Sequence, residues 1–126
     1  MKFPHLRHII IFAIPLILAS RCEPSGEYRI SYAHDIQPIF TTNCSDCHGP
    51  GGAANLDLSN HAALLSGEND NPPVLIPYDP EHSLLYEKVV RAYPSIGVRM
   101  PLGRAPLSSS QIEFIGDWIN EGALDN

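Results

Sequence analysis

The chain has 126 residues, a length that suits one domain. Its 44% apolar content is ordinary for a globular protein, while 12 prolines and 9 glycines call for long turns between a few short packed elements. A formal net charge of −6 argues against a nucleic-acid binder, which presents basic patches to phosphate.

Residues 1–21 read as an export signal rather than as part of the fold. Lys2 and Arg7 make a basic start, Ile9 to Ala19 is an apolar run broken only by Pro15, and the small residues Ala19 and Ser20 follow. The run falls short of the roughly 20 apolar residues that a spanning helix needs. The basic flank separates it from a buried core helix. Removing this segment takes away Lys2, Arg7 and Arg21, leaving five basic against fourteen acidic residues, a net charge of −9.

Cys22 is the odd one of three cysteines and stands directly after the signal. Ile17-Leu18-Ala19-Ser20-Arg21-Cys22 resembles the lipobox of bacterial lipoproteins, with Arg21 where a small residue is usual. Cys22 is thus a lipidation candidate, and a diacylglyceryl group there would hold the protein at a membrane surface without spanning it. Cleavage just upstream and an uncleaved anchor are the alternatives. Residues 22–30, with Pro24, Ser25 and Gly26, read as a tether, and 31–126 as the folded domain.

Within that domain the apolar spacing is helical throughout. Asp35 is placed to cap a short helix running toward Cys44, with Pro38 in its first turn and Ile36, Ile39 and Phe40 on its apolar face. Gly49-Pro50-Gly51-Gly52 breaks it. Asn55 to Leu65 has room for one short helix, and Gly67 to Pro73 is a polar loop. Asp79-Pro80 reads as a helix start, with Leu84, Leu85, Tyr86, Val89 and Val90 at three- and four-residue spacings and an end near Arg91 or Ala92. Ser108 and Gln111 form a capping box, flanked by Leu107 and Ile112 as a hydrophobic staple. Ile112, Ile115, Trp118 and Ile119 then give a buried stripe, with Gly122 closing the helix. The expected class is all-α: a small, loop-rich helical domain.

The chemistry concentrates in Cys44-Ser45-Asp46-Cys47-His48. Two thiols at this spacing add across the two vinyl groups of a haem, and the adjacent histidine is carried beneath the iron as its proximal ligand. A zinc site needs two more Cys or His ligands at suitable spacing. A thioredoxin-like dithiol sits on a βαβ pattern absent here. A simple disulfide leaves His48 without a reason. Met100 is the only methionine beyond Met1, in Val98-Arg99-Met100-Pro101 between Gly97 and Gly103. A thioether binds iron well, and Pro101 restricts the loop that carries it. Met100 is therefore the candidate sixth ligand, with core filling as the bland alternative. His34, His61 and His82 are rivals expected at the surface.

These residues resemble a class I c-type cytochrome, and more closely the planctomycete-type cytochrome c domain. The resemblance runs through Asp35-Ile36-Gln37-Pro38-Ile39-Phe40, Cys44 to Gly49, Ile76 to Leu85, Arg99-Met100-Pro101, and Leu107 through Ala123. It implies an all-α fold whose first and last helices cross beside one covalent haem c. By the same resemblance Cys44 and Cys47 are the attachment points, and His48 and Met100 the axial iron ligands. Tyr78 departs from the family, where glycine is usual.

The expected function is electron transfer by one haem, with no catalytic acid or base. Ile36, Phe40, Leu85, Ile115 and Trp118 would shield the cofactor. Expected partners are redox proteins with a basic docking face, drawn by the net charge, and a membrane surface through Cys22, with no nucleic acid. The expected location is the periplasm or the outer face of a bacterial envelope. Two other classes stand beside this one: a haem enzyme or gas sensor with an open sixth position, and a non-haem surface lipoprotein held by a disulfide.

Overall fold

The computed structural model describes residues 28–66 and 73–126. The signal, Cys22, most of the tether and nearly all of the polar loop at 67–73 lie outside the described residues. Those described hold four α-helices and no strand: α1 Gln37–Asn43, α2 His61–Ser66, α3 Leu84–Val90 and α4 Ser109–Asn120. Among the described residues, no helix is long and apolar enough to cross a membrane.

The first helix begins a turn earlier than the sequence suggests. A π-helical turn, Tyr32–Ile36, leads without a break into α1. Its N-cap is Ser31, whose hydroxyl accepts from the His34 amide at 3.3 Å. Asp35, read as the cap, instead reaches back and accepts from the Ser31 amide at 2.8 Å. The two side chains thus cap reciprocally. The wider π turn also explains how Pro38 sits inside a continuous helix. Its ring needs space beside the carbonyl four residues back, and a π turn widens the backbone there.

The remaining open amides of this turn find distant partners. Asn126 accepts from the Tyr32 amide through Oδ1 (2.8 Å) and from the Ala33 amide through its carbonyl (3.1 Å). Glu121 accepts from the Ile30 amide at 3.1 Å. Residues just past α4 therefore cap the first helix, a role with no local signal in the sequence.

The last helix matches its reading closely. Ser108 and Gln111 form the reciprocal capping box, and Ile115, Trp118 and Ile119 are fully buried. Gly122 follows the C-cap with φ +103, a conformation that favours glycine. A Cβ at Gly122 would also stand 2.6 Å from the Tyr78 ring. Tyr78 itself adopts φ +67. Such a left-handed turn favours glycine, the residue that the resemblance implies at this position, and this chain makes it with a tyrosine. The Tyr78 amide donates to the Ile119 carbonyl at 2.8 Å, tying the turn to α4.

α3 begins later than expected. Its N-cap is Ser83, not Asp79, and its first residue is Leu84. Asp79 caps a separate turn, accepting from the His82 amide (3.2 Å) and ring (2.8 Å). The pair holds the Asp79 carboxyl below its usual range and raises His82. Ser83 is fully buried but satisfied, its hydroxyl bonded to Ile76 N and Asp79 O at 2.8 Å each.

α4 packs on both the π turn and α3. Trp118 is at the centre of the core, with Phe40, Tyr32 and His61 around it at ring separations of 6.3, 5.5 and 6.1 Å. Its indole N–H donates to the Leu124 carbonyl at 2.9 Å. Trp118→Ala should therefore destabilise the fold by about 3–5 kcal/mol. Urea unfolding should show a lower midpoint with an unchanged slope. His61, expected at the surface, is packed into this cluster, with Nε2 2.7 Å from the Ala123 carbonyl.

Candidate cofactor site

α1 delivers the Cys44–His48 segment without an intervening loop. The Cys44 and Ser45 amides still donate to the Phe40 carbonyl, at 2.8 and 3.0 Å. The Cys47 and His48 amides then fold back on the Cys44 carbonyl, at 3.1 and 2.8 Å. The following glycines let the chain return closely over the motif: a Cβ at Gly52 would run into the Cys47 carbonyl oxygen. That return brings the Ala53 amide to Cys47 O at 2.8 Å and the Leu58 amide to His48 O at 2.7 Å.

It also fixes the histidine ring. His48 Nδ1 lies 3.0 Å from the Ala53 carbonyl. A carbonyl only accepts, so Nδ1 carries the proton and Nε2 keeps its lone pair. Such an outer contact is the usual way a metal-binding histidine is oriented and held in one tautomer.

Met100 reaches the same place from the other side of the sequence. The last carbonyls of a helix lack partners within it, and the loop after α3 supplies them. The Met100 amide donates to Lys88 O at 2.8 Å, and Arg99 Nη2 to Val89 O at 3.2 Å. Lys88 Nζ in turn donates to the carbonyls of Ile96 and Val98. Glu87 accepts from the Ser95 amide and hydroxyl at 2.6 and 2.7 Å. Beyond Met100, Arg104 clamps the loop to the end of α1, donating to Thr42 O at 2.9 Å and to Asp46 at 2.6 Å. Lys88→Met, which keeps the stem and removes the ammonium, should cost about 1 kcal/mol. Hydrogen exchange at the Met100 amide should accelerate accordingly.

His48 and Met100 line one apolar cleft, partly open to solvent. Leu56, Leu58, Val74, Leu84, Leu85 and Val89 make its walls, and Cys44 is at its edge. An adjoining cleft shares Cys44, His48 and Met100 and adds Cys47. Of the five residues expected to shield a cofactor, only Leu85 lines these clefts. Ile36, Phe40, Ile115 and Trp118 are buried in the core. Neither Lys88 and Arg104, which also line the clefts, nor the Ala53 carbonyl carries a sequence signal for such a role.

The donor set fits a haem. An imidazole with a free Nε2 and a thioether share an apolar slot, and two free thiols stand beside it, Cys44 half-buried and Cys47 exposed. Burial pushes the Cys44 thiol up to about 11, with Arg104 pulling it down and Cys47 adding to the rise. Redox-active Cys-x-x-Cys motifs carry a depressed thiol instead, and no strand is present among the described residues to build a thioredoxin unit. The described residues also hold no group of three or more His, Cys, Asp or Glu side chains arranged for a metal ion, as structural zinc would require.

No curated protein and no solved structure matches the chain. A family model does: residues 44–101, from the first cysteine of the motif to the proline after Met100, match that of the planctomycete cytochrome C, a family whose membership implies haem c binding and haem-based electron transfer. Through this stretch the chain is similar to the planctomycete cytochrome C family.

Proposed function

We propose that the protein is an exported electron carrier with one haem, attached through Cys44 and Cys47 and ligated at iron by His48 and Met100, and that it is not an enzyme. The observation that carries this reading is the meeting of His48, Met100 and Cys44 in one apolar cleft. When bound, the haem supplies a ferrous/ferric couple. The chain's own part is to hold it and exclude water. Nδ1 of His48 stays bonded to the Ala53 carbonyl, keeping Nε2 aimed outward as a donor. The leucine and valine walls lower the local polarity, and methionine ligation raises the reduction potential. With both axial positions filled by the protein, no substrate site at iron is needed.

Export, and a lipid tether at Cys22, are read from residues 1–22, and on that reading the domain works in the periplasm or on the outer envelope face. Partners are redox proteins. Carbon monoxide separates this reading from its nearest rival. The ferrous holoprotein should resist it at neutral pH. Ready binding would reveal an open sixth position and favour a haem enzyme or gas sensor.

A further inference from the structure

The net charge of the chain hides an uneven distribution. Beyond Arg29, every basic residue falls within 88–104: Lys88, Arg91, Arg99 and Arg104. That stretch contains no Asp or Glu. Lys88 and Arg104 line the clefts themselves, and among the described residues no acidic side chain does. Glu87 pairs with Arg91 at 3.6 Å and Asp46 with Arg104 at 2.6 Å. Among the described residues, Lys88 and Arg99 bond only to backbone carbonyls, so two positive charges remain in excess at this edge.

The same stretch exposes its apolar side chains. Tyr93 is 93% exposed, Leu102 67%, Val98 51% and Ile96 47%. Their loop is held at one end by Glu87, Lys88 and the Met100 amide and at the other by Arg104. The surface is thus held in place before any partner arrives, which lowers the cost of binding. Exposed apolar groups gathered on a rigid loop beside a functional cleft mark an interaction site.

We infer that the 88–104 loop is the docking face for the electron-transfer partner, and that this partner presents an apolar contact ringed by acidic side chains. The inference rests on the haem reading of the cleft. Net charge alone calls for a partner with a basic face, but such a face would meet Lys88 with like charge at the opening and Arg99 on the same loop. At physiological ionic strength screening acts over about 8 Å, so the charges at the cleft edge outweigh carboxylates elsewhere on the molecule.

Small redox reagents read the local sign of charge. The reduced holoprotein would be oxidised by hexacyanoferrate(III), one electron passing from the protein to give hexacyanoferrate(II). The rate should fall about twofold or more as ionic strength rises from about 0.1 to about 1 M, a range in which screening acts over about 10 Å or less, despite the net negative charge. A cationic cobalt(III) phenanthroline complex should show the opposite slope. Arg91→Glu, a change at a side chain outside the clefts, should flatten both slopes. A rate with hexacyanoferrate(III) that rises with salt overturns the inference, because net charge or the cofactor's own carboxylates would then set the field. Sedimentation with anionic vesicles that is lost in Tyr93→Ser also overturns it, by giving the loop to a lipid surface. A chain that takes up no redox-active haem defeats the haem reading itself, and the docking face with it.

Discussion

Replacing both Cys44 and Cys47 by serine should leave a chain that loses all haem on denaturation and melts well below the native holoprotein. The Cys44 amide is bonded to Phe40 O in α1 and the Cys47 amide to Cys44 O, so serine keeps the same backbone geometry but forms no thioether. The stability loss follows from linkage. The cleft walls are leucine and valine side chains that the haem would cover, and a haem tethered to the chain meets them at a high effective concentration that an untethered one lacks. Loss of the tethered group should cost about 3 kcal/mol or more. For a domain of this size that lowers the melting midpoint by about 10–20 °C. Each single serine variant should keep haem through the other thiol and melt between the two extremes. Haem staining of denatured protein and circular dichroism melts check both parts.

Met100→Ala should keep the haem and change its ligation. The ferric far-red sulfur–iron band should disappear, the ferrous form should bind carbon monoxide, and the reduction potential should fall. The loop need not collapse, since the Met100 amide is bonded to Lys88 O independently of the side chain. The histidine rivals are poorly placed to take over. His61 is held by Ala123 O inside the Trp118 cluster, and His82 is paired with Asp79. His34 is exposed at the π turn, and none of the three lines the clefts. Survival of the far-red band in Met100→Ala would mean that Met100 is not the ligand.

What the sequence made legible was whatever has a local cause. Ser108 and Gln111 announce a helix start because both halves of the capping box lie within four residues. The period of Ile115, Trp118 and Ile119 announces the buried face in the same way. Where a residue suited to capping serves a neighbouring cap or an isolated turn, reading from sequence placed the boundary wrongly. Asp35 and Asp79 both look like N-caps, yet the amides they serve belong to Ser31 and His82, and α3 starts only at Leu84. The Asn126 bonds to Tyr32 and Ala33 could not be foreseen, because the partners lie at opposite ends of the domain.

The candidate site divides along the same line. Cys44, Cys47 and His48 follow one another at a spacing with a chemical meaning, and Met100 is conspicuous as the one methionine in a proline-glycine loop. The walls of the cleft come from Leu56, Leu58, Val74 and Val89, apolar residues on three separate stretches that nothing local distinguishes from core. Charge shows the limit most plainly. A net value says nothing about where the cations lie, and four of the five in the described residues lie beside the cleft or its loop.

Intact mass of the purified, denatured chain, co-expressed with a haem-attachment system, tests the central claim most directly. The account predicts the mass of the mature chain plus one haem, with no alkylatable thiol at Cys44 or Cys47. A chain of unmodified mass with both thiols free, or one lighter by the two hydrogens of a Cys44–Cys47 disulfide, would contradict it.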